Sequence, residues 1–301
     1  MLRPVKSLVL LCSLAIFCVG GLLSRAQAGL TLYGSAFSTD FFDPNHNLST
    51  LYQVNQVGGA ATAIGAIGYK VVGGLAFDSA GTLYGVGQAY DPMNAFGGDM
   101  TLITINRTTG AGTAVGGLTI GGNALNANFQ DISFRHSDGT LFAYASGDLY
   151  TINKATGAAT LVGTTGETEI GGGIAFSASD TLFKAGFDHL FSLDQSTGNG
   201  SPVVQMSYPT GGTPNATGMD FDSATGVLWA AVHNDASNNS PAYLATIDTV
   251  TGLVTKIGDS VIGLSALAAI PEPSTYGVLT GFVLVAIGMV NVSRRKKAIT
   301  A

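Results

Sequence analysis

The chain repeats itself, and this limits what it can fold into more than any other feature of the sequence. Four segments pair a small-residue run ending in Phe with a turn and a second apolar run. They are Gly74-Leu75-Ala76-Phe77 with Gly81-Thr82-Leu83-Tyr84, Asp131-Ile132-Ser133-Phe134 with Gly139-Thr140-Leu141-Phe142, Gly173-Ile174-Ala175-Phe176 with Thr181-Leu182-Phe183, and Gly218-Met219-Asp220-Phe221 with Gly226-Val227-Leu228-Trp229. Alternating apolar residues broken by Ser, Asp or Gly are the pattern of a β-hairpin. A second hairpin follows each first one, as in Leu149-Tyr150-Thr151-Ile152-Asn153 before Thr156-Gly157. It recurs as Asn106 before Thr109-Gly110, Asp194 before Thr197-Gly198 and Asp248 before Thr251-Gly252, with a degenerate copy at Asn55 before Gly58-Gly59. An Asn or Asp that accepts hydrogen bonds from its own turn, then a Gly free to take positive φ, is what a tight strand reversal requires.

Each full repeat therefore holds four strands and recurs roughly every 40 to 57 residues, the period of a propeller blade rather than of a helical repeat or a β-helix coil. Five turn motifs predict an all-β fold, a β-propeller of five four-stranded blades over residues 29–269. Leu30 to Gly34 reads as a second strand lacking its first, and Ile262 to Ala269 as a first strand lacking its second. If the two pair, the termini close the ring and remove an exposed edge. A β-sandwich or two-sheet domain with coincidental turns is the competing fold. The second half-repeat, with its Asn-x-x-Thr-Gly-x-x-Thr-x-Val-Gly cadence, is similar to propeller-like domains of unknown function in bacterial secreted proteins, a resemblance that transfers no active-site residues.

The ends of the chain read as addresses. Residues 1–28 carry Arg3 and Lys6, an uncharged run from Leu8 to Leu23, then Ala26-Gln27-Ala28. This is the layout of a signal peptide cleaved after Ala28, with small residues at the two positions the peptidase reads. An uncleaved anchor is the alternative. Near the other end, Tyr276 to Val292 has no charge and lies at the short end of the range, about 17 to 25 residues, that crosses a bilayer as a transmembrane helix. Arg294, Arg295, Lys296 and Lys297 follow, and basic flanks stay cytoplasmic, so this tail is read as a stop during export with residues 29–270 on the far side.

Pro271-Glu272-Pro273 stands just before the apolar segment. Two prolines remove backbone donors and hold the chain extended, so a helix cannot run back through the motif and a strand is left accessible. Pro-Glu-Pro, apolar helix and basic end, over residues 270–301, resemble a PEP-CTERM sorting signal. The resemblance implies recognition of Pro271, Glu272 and Pro273 by an exosortase, a membrane transpeptidase. It also implies a Gram-negative-type envelope, commonly with extracellular polysaccharide in the surroundings. An ordinary proline linker before a permanent anchor is the alternative.

Composition removes several functions. Of the 19 acidic residues only Glu272 lies outside residues 29–270, against the scattered cations Lys70, Arg107, Arg135, Lys154, Lys184 and Lys256. Phosphate recognition needs clustered cations, so nucleic acid is not an expected partner. The two cysteines, Cys12 and Cys18, lie in the leader, which excludes thiol catalysis, disulfides and cysteine-ligated zinc from the mature chain. His46, His136, His189 and His233 have no metal-ligand spacing, and neither a nucleophile elbow nor a phosphate loop is present. His136 and His233 are expected in solvated loops.

Strand parity gives the one site expectation. Asp131 and Ser133 share a face of a first strand, Asp220 takes that face in another blade, and Ile132, Phe134, Met219 and Phe221 pack on the other. If first strands line the channel, Asp131 and Asp220 project into it and hold a cation such as calcium or a polar ligand; no other cofactor is expected. The insertions Ser38 to Asn47 and Asp91 to Gly98 carry Phe41, Phe42, Tyr90 and Phe96 in or beside them, suited either to stacking on sugars or to packing onto blade ends. The expected function is a non-enzymatic binding or scaffolding protein of the cell surface or extracellular matrix, its partners being signal peptidase, the export machinery, an exosortase and extracellular polysaccharide. A secreted propeller hydrolase or lyase acting on polysaccharide is the alternative.

Overall fold

In this computed structural model the described residues are 30–37, 48–90, 99–125, 127–167, 172–209, 214–234 and 241–271. The expected signal peptide, the insertions 38–47 and 91–98, Glu272 and Pro273, the apolar segment 276–292 and the basic tail lie outside them. Among the described residues no helix is long and apolar enough to cross a membrane.

The strands in chain order are β1 (Leu30–Phe37), β2 (Leu48–Val54), β3 (Ala61–Phe77), β4 (Leu83–Ala89), β5 (Met100–Ile105), β6 (Gly112–Gly117), the short pair β7 (Thr119–Ile120) and β8 (Asn123–Ala124), then β9 (Phe129–Phe134), β10 (Leu141–Ala145), β11 (Asp148–Ile152) and β12 (Ala159–Thr164). They continue as β13 (Ile174–Phe176), β14 (Leu182–Ala185), β15 (His189–Leu193), β16 (Gly200–Gln205), β17 (Asn215–Phe221), β18 (Leu228–His233), β19 (Pro241–Ile247), β20 (Val254–Ile262) and β21 (Leu264–Pro271).

The architecture is all-β and propeller-like. Three sheets hold four strands each, β9 to β12, β13 to β16 and β17 to β20, all antiparallel neighbours. A seven-stranded sheet runs β21-β1-β2-β3-β4-β5-β6. Its 17-residue β3 serves twice. Ala61 to Lys70 pairs with β2, whereas Tyr69 to Phe77 pairs with β4, and between them Val71 takes a positive φ of 48°. The sheet is thus two four-stranded groups joined end to end. In the first of them β21, from the end of the chain, lies beside β1 from its beginning, the pairing the sequence predicts.

Sheets whose two faces both meet a neighbour are apolar throughout, not alternating. All five residues of β10 and all six of β18 are buried. Between the second and third groups Tyr84, Val86 and Leu102 meet Ile132, Phe134 and Leu141. The third and fourth pack through Phe142 and Tyr144 on Ile174 and Phe176. Ala185 and Leu190 meet Met219 and Val232 between the fourth and fifth. Trp229 and Leu244 of the fifth meet Leu32 and Leu267 of the first, while Leu51 and Ala266 of the first meet Leu75 and Ile103 of the second.

The turns obey the expected chemistry. Asn55, Asn106, Asn153, Asp194 and Asp248 each accept a backbone N–H two residues on, at 2.8 to 2.9 Å. Each turn ends in a positive-φ glycine that lies against the fourth strand of the preceding group. Gly110 lies on Gly65, Gly157 on Gly116, Gly198 on Gly163, Gly252 on Gln205, and Gly59 on Gly258. A methyl group added at Gly198 would stand 2.6 Å from the Gly163 carbonyl oxygen, and one at Gly157 2.7 Å from that of Gly116. Gly163→Ala, whose new Cβ would run into the Thr197 carbonyl, is therefore expected to destabilise the fold by about 1–3 kcal/mol. Gly117→Ala, with nothing within 4 Å of its Cβ, should leave the unfolding midpoint almost unchanged. Paired urea titrations of the two variants check this.

Candidate functional site

The first strands of the groups meet at one layer of residues, Gly74, Asp131, Gly173, Gly218 and Ala266. A Cβ on Gly74 would lie 2.8 Å from Ile132 N, one on Gly173 2.7 Å from Met219 N, and one on Gly218 2.5 Å from Ala266 Cα. Backbone closes on backbone there, and the one long side chain in the layer is Asp131. Its oxygens are taken by backbone N–H donors from three strands, Oδ1 by Ile132 (2.9 Å), Oδ2 by Ile174 (3.0 Å) and Met219 (3.2 Å).

This corrects the expectation that Asp131 projects into an open channel to hold a cation or a polar ligand. Asp131 is fully buried and joins the third, fourth and fifth groups as an acceptor of amide hydrogens. Asp220, one layer along, retains some exposed area but is enclosed by protein; it accepts from Phe221 N (2.9 Å) and, across to β21, from Ala269 N (2.8 Å). Ser133 takes the same layer in β9, where its Oγ accepts from Phe176 N at 3.1 Å. The parity read from the sequence holds, with Ile132, Phe134, Met219 and Phe221 buried opposite. Amide donors stand where a cation would have to bind, and among the described residues no three His, Cys, Asp or Glu side chains form a group able to hold a metal ion.

Burial pushes the Asp131 carboxyl well above the usual range, opposed by the amide donors and reinforced by the nearby Asp220. Burial likewise pushes Asp220 up to about 7, opposed by the amides of Ala269 and Phe221 and reinforced by Asp222.

Among the described residues the histidines do not converge. His136 is exposed, as expected, with its backbone N–H donating to Asp180 Oδ1 at 2.8 Å. His233 corrects its expectation. It ends β18, is 1% exposed, and its Nε2 lies 2.7 Å from the Leu264 carbonyl at the start of the closing strand. His189 pairs with Asp188 at the surface, and His46 lies outside the described residues.

Sequence reasoning missed Lys184, counted only as one scattered cation. Its side chain is completely buried in β14, Nζ 2.8 Å from Glu167 Oε1, between the rings of Tyr144 (5.0 Å) and Phe191 (5.3 Å). The signal was present in the repeat, because Lys184 stands where the other groups have Gly85, Ala143 and Ala230. A long side chain at a position reserved for small ones requires a built niche and a counter-charge.

Two shallow grooves open on the turn face, of about 420 Å³ beside Leu30, Gln53 and Val57 in the first group and about 410 Å³ beside Val227, Thr246 and Leu253 in the fifth. Neither contains the axial carboxylates.

No protein-family model matches the chain, and no curated protein does either. Among solved structures it is similar to a chain of the crystal structure of a nidogen/laminin complex, at 12% identity and a TM-score of 0.50, covering 81% of this chain and 100% of that one. A structure described under the de novo evolutionary emergence of a symmetrical protein matches at 15% identity and a TM-score of 0.46, with the same coverage. The first likeness supports the propeller-like fold and nothing about activity.

Two outcomes follow. Asp131→Ala strands three amide donors in a sealed layer and should lower stability by about 3 kcal/mol or more, against about 1 kcal/mol for Ser133→Ala, which strands one. Because the folded-state pKa of Asp220 is raised, its contribution is fully present below about pH 4 and is lost as pH rises through about 7. Unfolding free energy should therefore fall between those pH values, and Asp220→Asn, which keeps an acceptor for Ala269, should flatten that slope in urea titrations.

Proposed function

We propose that this chain is an exported, exosortase-sorted protein of the cell surface or extracellular matrix, whose body is a closed propeller of five four-stranded blades offering loops for non-enzymatic binding or scaffolding. The observation that carries the reading is where the last described strand ends. β21 supplies the innermost strand of the first group and ends at Pro271, the first residue of the Pro-Glu-Pro motif. In the sequence the body and the proposed sorting motif are thus contiguous.

The cyclic set of packed interfaces, including that between the fifth and first groups, supports the five-bladed ring. The use of Asp131, Ser133 and Asp220 to bind neighbouring strands supports a structural axis over a catalytic one. Binding is then left to the loops opposite the turns, where the segments joining β1 to β2 and β4 to β5 emerge. Extracellular polysaccharide is the proposed ligand class. Signal peptidase cleaving after Ala28 and an exosortase reading Pro271 to Pro273 are the proposed processing partners.

Expressing the full chain in matched hosts with and without an exosortase tests the sorting. Intact mass should drop by the C-terminal segment and cell retention should change only where the enzyme is present. An equal mass in both hosts would remove the sorting reading.

A further inference from the structure

We propose that the turn face of the first and fifth four-stranded groups is a lipid-facing surface, seated on the bilayer while the chain is still anchored. This deepens the anchoring reading above and rests on it. Antiparallel connectivity puts the turns after first strands and after third strands on one face of the body. The chain also enters and leaves on that face. Leu30 begins β1 beside the turn after β2, where the Gln56 side-chain amide donates to its carbonyl, and Ile270, next to last in the inner strand β21, has its Cδ1 3.6 Å from the Cβ position of the turn residue Gly81.

Only residues 271–275 separate the body from the apolar segment that starts at Tyr276. Fully extended, five residues span about 17 Å, so the face from which they emerge stays close to the membrane surface.

That face is not uniform. At the outermost turn position the five groups carry Val57, Thr108, Ala155, Ser196 and Val250 in order. The two valines fall on the first and fifth groups, which adjoin each other at β21, and they are 85% and 83% exposed. Leu253 (55% exposed) and Val227 (37% exposed) of the fifth group extend the apolar patch along its groove. The turns of these two groups contain no Lys or Arg. Their carboxylates, Asp222 and Asp248, are engaged by donors within their own turns. Cations appear instead on the second and third groups, as Arg107, Lys154 and Arg135. An apolar tip set without cations suits the uncharged interface of a zwitterionic bilayer rather than an anionic headgroup. Four aliphatic side chains are too few to hold a free domain at a membrane, but a tether of five residues supplies a high local concentration.

The test uses the full chain with Cys12→Ser and Cys18→Ser, so that each introduced thiol is the single one. Val57→Cys, Val250→Cys, Thr108→Cys, Ala155→Cys, Ser196→Cys and, on the opposite face in the connection between β14 and β15, Phe187→Cys are each labelled with a nitrobenzoxadiazole dye. The labelled proteins are reconstituted into phosphatidylcholine vesicles with and without nitroxide-bearing lipid. Flotation is measured on the same samples. The expected result is co-flotation of every variant, with lipid quenching at positions 57 and 250 at least twofold stronger than at 108, 155, 196 and 187. Co-flotation with equal quenching at all six positions would overturn the lipid-facing surface while leaving the anchor intact. Failure to float would overturn the anchor and the surface together. Shielding of 57 and 250 from aqueous iodide without quenching by lipid, rising with protein density, would assign the face to a second copy and also overturn the proposal.

Discussion

The rest of this fold depends on a backbone contact, the meeting of a turn glycine with the fourth strand of the group before it. Gly110 on Gly65, Gly157 on Gly116, Gly198 on Gly163 and Gly59 on Gly258 bring two main chains closer than any side chain would allow. That approach fixes the spacing between sheets at their outer ends, as the small residues of the first strands fix it at the axis. A register shift recurs where each third strand meets its fourth, at Leu51/Tyr52, Leu102/Ile103, Leu149/Tyr150, Leu190/Phe191 and Leu244/Ala245. Such bulges bend a strand locally, which aims the fourth strand at the next turn. The fourth group shows what happens without the glycine. Val204 occupies its place, the contact passes to the Gln205 carbonyl, and Ser207 extends the approach through a bridge to Leu253.

With the spacing fixed at both ends, the space between sheets is filled by one repeated aromatic pair. The second strand of one group offers a ring to the Phe that ends the first strand of the next. Tyr33 meets Phe77 at 5.6 Å, Tyr84 meets Phe134 at 5.4 Å, Phe142 meets Phe176 at 5.3 Å and Phe183 meets Phe221 at 5.7 Å between centroids. Three are edge-to-face and one is tilted, geometries that favour the ring quadrupoles. The fifth interface departs from the pattern in a compensating way. Trp229, the single tryptophan, stands in the second-strand position, and Ala269 of the closing strand stands where the others have Phe. A larger ring against a smaller partner conserves the volume between the sheets, which is what a close-packed interior demands.

Much of this was legible in the sequence because the repeat writes each contact several times. The hairpins, the Asx turns and the pairing of the chain's two ends follow from Asn-x-x-Thr-Gly spacing and from the half-repeats at Leu30 and Ile262. Parity placed Asp131 and Asp220 on the correct face of their strands. What parity could not give was the width of the space they enter. Three glycines and an alanine at the equivalent positions of Asp131 are the clue that this space is closed, since a water-filled channel needs no such economy of side chains. Burial of His233 and Lys184 was hidden for a different reason. Each sits in a strand whose both faces are covered, where a polar residue no longer signals the solvent side.

Strand β21 ties these constraints together. β21 contributes the small residues Ala266 and Ala268 to the axis and carries no acceptor side chain there, so the bonds across its interface come from its neighbour. Asp220 receives the Ala269 amide, and His233 reaches the Leu264 carbonyl. Both partners belong to the fifth group, and both are ionisable. The last of the described strands is thus held through side chains of the group before it, and Leu32 and Leu51 of the first group are buried in the clusters it completes. The strand that completes the core reaches the Pro-Glu-Pro motif, whose first residue is its last.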